Sequence, residues 1–375
     1  MRKLRVLQIA FNDLGLGGIQ KVMLVSARNL KDCVDGDVVV FSSKTAYHDE
    51  EFEKYGRIFR VPHYEGKSKL LSRIDYYIRY GRIKRAIYKI LKEHGPYDVV
   101  HSHTFFEAAP CLAAAKKAGV PVRIAHSHNT AMEDRRGFPL KQLSEIYRRR
   151  YRRIIHKCAT DMIGCSRAAC DYLFGNGCGV PVYNSVDCSK FNPKDYPKKN
   201  WDDLRLIHVG NFLPQKNQPF LIDVFFELLK LKPDCHLTMI GRQHEYVSKV
   251  EEKIATLGIA EKITILPHDT SVPAALAASD YFVFPSVFEG FGNVMLEAQA
   301  MGLRCFASTE VTAETDCGLA EFIPLSDGAE AWARRIFDYY NEFGTDKHPA
   351  DMSRFSEDAF AAEYLKIYKR SLTNE

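Results

Sequence analysis

No Cys-x-x-Cys pair occurs among the ten cysteines of this 375-residue sequence, and no His/Cys cluster has convincing zinc spacing. Cys111, Cys235 and Cys305 lie in apolar settings, which suits reduced core thiols in a cytoplasmic protein and not a disulfide framework. No apolar run reaches the roughly 18 residues of a membrane span. The stretch that follows Met1-Arg-Lys is too short for a secretory leader and runs straight into a glycine turn, so it is expected to be the first strand. The dinucleotide fingerprint is missing as well. Gly15-Leu-Gly-Gly-Ile-Gln20 has glutamine where the third glycine belongs, and the next strand ends in Val-Phe-Ser without an acid. Both gaps count against NAD. Between residues 201 and 356 there is no Asp-x-Asp element, so no metal is expected with the ligand.

Hydrophobic residues make up 46% and charged residues 26%, ordinary for a soluble enzyme, and the length suits two α/β domains. The net charge of +5 hides an asymmetry. Residues 65–93 hold nine basic and three acidic side chains, and residues 141–157 hold seven and one, so each segment carries +6 and the rest of the chain −7. Both segments have helical periodicity: Leu143, Tyr147, Tyr151, Ile154, Ile155 and Cys158 form one stripe, and Leu70, Ile74, Tyr77, Ile78, Ile87, Ile90 and Leu91 another. Basic amphipathic helices fit an anionic membrane surface, and equally a core stripe with a solvated basic face. No motif supports nucleic-acid binding.

Short apolar strands alternate with helices in each half, which implies parallel sheets covered on both faces. Strands are expected at Arg5–Ala10, Val38–Phe41, Asp98–His101, Val122–His126 and Asp161–Ser166, then again at Leu204–Val209, His236–Ile240, Ile263–Leu266, Tyr281–Phe284, Arg304–Ala307 and Glu321–Ile323. Pro181, Pro193 and Pro197 punctuate a boundary. The expected domains are residues 1–183 and 201–356, joined by a linker at 184–200.

The densest chemistry lies after the Tyr281–Phe284 strand. Glu289 and Glu297 stand eight positions apart around Gly290-Phe-Gly-Asn-Val294, a turn that should open a helix. Gly290 and Gly292 are expected to allow a close approach to a ligand or a positive φ. Amides at a helix N-terminus bind anions, and ligands of open α/β sheets sit at strand carboxyl ends. Two carboxylates beside an anion cradle suit a sugar nucleotide. Gly210-Asn-Phe-Leu-Pro-Gln-Lys216 follows another strand, and its lysine could reach a diphosphate. His101-Ser-His103 and His126-Ser-His128 end two strands at one sheet edge. Four imidazoles invite a metal reading, but alternation on one strand supplies no third anchor.

The Glu289 to Glu297 segment resembles the Glu, seven residues, Glu signature of retaining glycosyltransferases of family 4, which have the GT-B fold: two Rossmann-like domains with parallel sheets facing a central cleft. The resemblance extends over nearly the whole chain. Tyr183-Asn-Ser-Val-Asp187 is similar to the family's linker, with Ser185 for glycine. Glu297–Ser308 and Val122–Asn129 look like capsular and exopolysaccharide glycosyltransferases of bacteria. The resemblance implies a second domain that binds the donor, a first domain that faces the acceptor, and a terminal helix, 357–375, that packs back on the first domain. It implies that Glu297 takes ribose hydroxyls, that Glu289 orients the donor sugar, and that amides from Gly290, Phe291, Gly292, Asn293 and Val294 hold the diphosphate with Lys216. Asn211 stands where the family has arginine, and Arg242 could supply the missing charge. Gly17 and Gly18 resemble the loop the family points at the donor, and a histidine near the donor sugar is expected to be His128, with His126 as the alternate.

These features lead to the expectation of a metal-independent, retaining hexosyltransferase without cofactor. It would move a sugar from a nucleotide donor, a UDP-sugar by family frequency, to a saccharide or polyprenyl-diphosphate-linked acceptor. It would be cytoplasmic, on the inner face of the membrane if the basic segments bind there. A UDP-N-acetylglucosamine 2-epimerase and a non-catalytic sugar-nucleotide-binding protein are the alternatives.

Overall fold

The computed structural model describes residues 2–62, 69–130, 140–197, 203–243 and 245–370, with side chains from Arg79 and from Glu145 onward in the two helices that begin at 69 and 140. The charges expected at Glu65, Lys67, Lys69, Arg73, Asp75 and Lys141, the stripe positions Leu70, Ile74, Tyr77, Ile78 and Leu143, linker residues 198–200 and the end of the chain from Ser371 lie outside the described residues or side chains.

The chain divides into two compact units, Met1–Ser185 with Glu357–Glu375, and Val186–Ser356. In the first unit the strands are β1 Leu4–Ala10, β2 Val34–Val40, β3 Ile58–Arg60, β4 Val99–Ser102, β5 Val122–Ser127, β6 Asp161–Gly164 and β7 Val180–Pro181. All pair in parallel in the order β3-β2-β1-β4-β5-β6-β7. The helices are α1 Gly18–Asn29, α2 Asp49–Phe52, α3 Lys69–His94, α4 Ala108–Ala118, α5 Leu140–Cys158 and α6 Arg167–Phe174. The second unit has β8 Leu204–Val209, β9 Cys235–Ile240, β10 Ile263–Leu266, β11 Tyr281–Phe284, β12 Arg304–Ser308 and β13 Ala320–Ile323, again parallel, in the order β10-β9-β8-β11-β12-β13. Its helices are α7 Gln218–Leu231, α8 Val247–Leu257, α9 Val272–Ala277, α10 Asn293–Ala300 and α11 Gly328–Phe343. The last helix, α12 Glu357–Arg370, belongs to the first unit. β3 and β7 have no counterpart among the expected strands, since three and two residues are too few to show alternation.

Strand alternation sorts the cores. Leu7, Ile9, Val39, Val100 and Ala125 face α3 to α6, where Ile83, Ile87, Leu112, Tyr151, Ile155 and Leu173 complete a buried cluster. Val6, Val34, Val99, Val122 and Ile124 face the other way and meet Val22 and Val25 of α1 and Phe360, Tyr364, Ile367 and Tyr368 of α12. Thus α12 is a structural part of the first sheet's cover. In the second unit Leu206, Leu237, Met239, Tyr281 and Phe306 pack under α7 and α11, with Trp332 fully buried.

The basic segments form α3 and α5. Their apolar residues Ile87, Leu91, Tyr147, Tyr151, Ile155 and Cys158 are buried in one core cluster, so the stripes are core-facing. Tyr80 of α3 meets Tyr151 of α5 edge to face, with ring centres 5.5 Å apart, which places both helices on the same face of the sheet. Arg82, Arg85, Lys89, Arg149, Arg150 and Arg153 are exposed. Among the described residues no helix is long and apolar enough to cross a membrane, and all ten cysteines are free thiols.

Candidate active site

In the second unit the strand order changes direction between β8 and β11, so the loops after these two strands leave a crevice at their carboxyl ends. Lys216 comes from the first loop and Glu289 from the second. Their side chains form an ion pair, with Nζ 2.5 Å from Oε1, and both are largely shielded from water. The lysine's aliphatic stem lies over Gly210, where a Cβ would sit 3.2 Å from Cδ, and its ammonium is 4.8 Å above the Phe284 ring. Gly241 is needed for a similar reason: a Cβ there would lie 2.1 Å from the carbonyl oxygen of Gly210. The two strand ends therefore approach each other through glycine on both sides.

Gln215 holds the two loops together. Its side-chain amide donates to the Phe288 carbonyl at 2.8 Å, and its own carbonyl accepts from the Val287 amide at 2.8 Å. Gln218 is buried and donates to the Asn211 carbonyl at 3.0 Å. Neither residue stands out in the sequence, because a glutamine in a polar loop carries no pattern. Beneath the loop, His208 is fully buried and donates from Nδ1 to the Val283 carbonyl at 2.9 Å; burial lowers its pKa to about 4 and keeps it neutral.

The glycine turn behaves as expected at one position. Gly292 caps α10 with φ +91, a left-handed conformation that a side chain would strain. Gly290 does not have a positive φ, so of the two reasons expected for glycine there, close approach to a ligand is the one left. Phe291 is buried against Phe355, with ring centres 5.9 Å apart. Asn293 and Val294 open α10, and Glu297 lies in its second turn, buried like Glu289. Asn211 is exposed, and its Oδ1 accepts from the backbone amide of Arg242 at 3.2 Å. The arginine expected to replace the missing cation is thus tied by its backbone to the residue that displaced it, with its side chain at the surface.

The other expected site residues belong to the first unit. Gly17 and Gly18 begin α1; a Cβ on Gly17 would meet Gln20 Oε1 at 2.4 Å, and Gln20 donates to the Asp13 carbonyl at 3.0 Å. The four histidines come together. His101 lies on β4 and His126 on β5, with His103 and His128 each in the first residue past its strand. His101 Nε2 lies 3.2 Å from His126 Nδ1, and His103 Nδ1 lies 2.9 Å from His128 Nε2. The Tyr368 hydroxyl meets His101 Nδ1 at 2.9 Å and the Tyr364 hydroxyl meets His126 Nδ1 at 3.1 Å. Burial, reinforced by neighbouring imidazoles, pushes His101, His103 and His126 well below the usual pKa of 6.5, and burial alone lowers His128 to about 3. The argument that a His-x-His strand lacks a third anchor fails, because the adjacent strand provides it: donor atoms of His101, His103 and His126 lie within 4.8 Å of one another, a grouping that could hold a cation.

Both histidines expected near the donor sugar are buried in this cluster. His126 is completely buried between His101 and the terminal helix, which leaves it no exposed edge for a donor. His128 is also buried, stacked on His103 with ring centres 5.1 Å apart. It is His103 that lines a cavity of about 280 Å³ at the carboxyl ends of β1 and β4, together with Phe11, Asn12, Gln20, Phe105 and Asn129. Its Nε2 is buried without a hydrogen-bond partner. Arg79 and Glu107 close the cavity with an ion pair. Phe105 has φ +57, uncommon for a bulky residue, and stacks on Tyr172 at 5.4 Å. In the sequence His103 has the same standing as its neighbours; the edge position that opens it to the cavity is a property of the sheet.

The family model described as Glycosyltransferase Family 4 matches residues 16–190, and the one described as Glycosyl transferases group 1 matches residues 203–342. EpsF of Bacillus subtilis, classed as a glycosyltransferase, is 29% identical over 349 residues, covering 88% of this chain and 86% of that protein. The capsular polysaccharide biosynthesis glycosyltransferase CapH of Staphylococcus aureus is 28% identical over 56% of this chain and 59% of its own length. A glycosyltransferase from Rickettsia africae superposes with a TM-score of 0.78 at 19% identity over 100% of both chains, and HepE of Anabaena, solved with UDP-glucose, with 0.73 at 16% over 99% and 100%. With these two domains and the GT-B fold of its structural neighbours, the chain belongs to the group 1, family 4 glycosyltransferases.

Proposed function

We propose that this protein is a retaining hexosyltransferase that takes a sugar from a nucleoside-diphosphate donor, a UDP-sugar, and transfers it to a lipid-linked oligosaccharide during capsule or exopolysaccharide synthesis. The observation that carries the reading is the Lys216–Glu289 pair at the β8/β11 crevice, beside the Gly292-capped start of α10. Without ligand, each charge satisfies the other. A donor diphosphate would draw Lys216 away with its own oxygens, and amides at the start of α10 would share its charge. Glu289 would then be free to accept hydroxyls of the donor sugar and to stabilise positive charge on its ring. Glu297 would hold the ribose. Such a site would accelerate transfer chiefly by stabilising charge on the departing diphosphate. No carboxylate or histidine need act as a strong base if the leaving phosphate takes the acceptor's proton.

The donor and acceptor classes are supported by relatives. One of them is named a UDP-Gal:α-D-GlcNAc-diphosphoundecaprenol α-1,3-galactosyltransferase, 28% identical over 60% of each chain. Another is named for a diphospho-undecaprenol acceptor. The exposed cations of α3 and α5 on one face suit a peripheral place on an anionic inner membrane. The test is a thermal-shift panel of nucleotides and nucleotide sugars, followed by product analysis with and without a lipid-linked acceptor. A UDP-sugar should raise the melting temperature, with transfer that retains anomeric configuration and survives EDTA. Conversion of the sugar with no acceptor present would make the protein an epimerase, and loss of activity with chelator would assign a metal to the histidine cluster.

A further inference from the structure

We propose that His208 is a second seat for the Lys216 ammonium: once a donor diphosphate draws the lysine off Glu289, one of its N–H groups goes to His208 Nε2 and the others to phosphate oxygens. This rests on the transferase reading above and adds what positions the lysine in the loaded site. His208 stands near the end of β8, just before the Gly210 turn. Its Nδ1 lies 2.9 Å from the Val283 carbonyl oxygen, so in the neutral ring the proton is on Nδ1 and Nε2 carries a lone pair. That Nε2 is buried and has no hydrogen-bond partner. A buried acceptor left open costs stability, and its place under the ligand loop points to a donor that turns to it when the site is loaded.

Lys216 is the donor beside it. The point that a Cβ on Gly210 would occupy is 3.3 Å from His208 Nε2, 3.2 Å from Lys216 Cδ and 3.3 Å from Lys216 Cε. The absent side chain of Gly210 therefore keeps open the gap between the imidazole nitrogen and the end of the lysine stem. Amides of the loop are engaged elsewhere: Gly210 donates to the Ile240 carbonyl at 2.8 Å, Phe212 to that of Arg242 at 3.1 Å and Lys216 to that of Leu213 at 2.9 Å. An ammonium has three N–H donors on a flexible stem, so it can turn from one acceptor to another. In the ligand-free chain it is directed at Glu289 Oε1, 2.5 Å away, over the Phe284 ring. Burial holds His208 to a pKa of about 4, so the ring stays neutral and can accept from a cation without repelling it. The exchange frees Glu289 for the donor sugar and fixes the lysine's charge at the strand end.

The test follows the His208 ring nitrogens by nuclear magnetic resonance in the full chain carrying isotope-labelled histidine, with the signal assigned by its loss in His208→Gln. Saturating UDP should move Nε2 upfield, the direction of a lone pair that gains a hydrogen bond. The shift should be absent in Lys216→Met, which keeps the stem and removes the donor. His208→Leu should weaken UDP binding about tenfold, the loss of one charge-assisted hydrogen bond. His208→Gln, whose side-chain carbonyl can accept in place of Nε2, should recover most of it. On the Lys216→Met background the loss from His208→Leu should vanish, whereas a merely structural histidine would cost the same on both backgrounds. An unmoved nitrogen in the wild-type protein with UDP bound, or equal losses on the two backgrounds, would overturn the second seat and leave the transferase reading standing. A protein that binds neither UDP nor any UDP-sugar would remove that reading and the second seat with it.

Discussion

Lowering the pH from 7.5 to 5.5 should unfold the first unit well before the second. Four imidazoles, His101, His103, His126 and His128, are buried there and held neutral, each with its pKa depressed below 6.5. A depressed histidine means that the native state binds fewer protons than the unfolded chain. Stability is therefore complete above the unfolded value of about 6.5 and falls as the pH drops below it. Over this range each neutral histidine loses about 1.3 kcal/mol, so four lose about 5 kcal/mol, comparable with the whole stability of many domains. Among the described residues of the second unit His208 is the fully buried imidazole, lowered to about 4, and contributes one such loss; His236, partly buried and also lowered, adds less. Trp332 is buried in the core of the second unit, and Trp201 lies just before its first strand in the sequence. Urea unfolding followed by tryptophan fluorescence therefore reports that unit, and far-ultraviolet circular dichroism reports both. The dichroism curve should split on acidification, its first midpoint falling steeply while the fluorescence midpoint moves little. Near pH 5.5 the first transition should take up about three to four protons. If the two signals shift together, or the first transition takes up fewer than two protons, the cluster is not held neutral and the reasoning fails.

Glu297→Ala should weaken UDP binding by about 1.5–3 kcal/mol if the carboxylate holds the ribose, measured by calorimetry; unchanged affinity would take Glu297 out of the site. Lys216→Ala should lower turnover more than donor affinity, because charge on the diphosphate grows as the bond breaks, and it should also destabilise the ligand-free second unit by leaving Glu289 buried without its cation. Normal turnover in that variant would mean the phosphates are held elsewhere, and Asn211→Arg should keep or improve donor binding. Reversing Arg149, Arg150 and Arg153 to Glu should abolish binding to anionic vesicles at low salt with UDP binding intact. Arg152 is left out because its guanidinium donates to the Leu173 and Tyr172 carbonyls at 2.9 Å and closes the end of α6. A wild-type protein that ignores such vesicles would make these charges a solvated exterior.

The sequence alone determined what depends on local order. Runs such as Leu204–Val209 and Tyr281–Phe284 declare buried parallel strands by composition, and both strand spans match the structure residue for residue. The Glu289 to Glu297 spacing with Gly292 marked a helix start, because glycine adopts that left-handed cap without strain. The tertiary structure decided what depends on neighbours far apart in the chain. It joined Lys216 to Glu289 across 73 positions and set Gln215 as the strut between their loops. It stacked two His-x-His pairs from adjacent strands under Tyr364 and Tyr368, more than 230 residues away, and so turned His126 into core and left His103 at the cavity. Strand alternation fixes which side of a sheet a residue faces, but only strand order and the helix laid over that side decide whether it meets a ligand or another side chain.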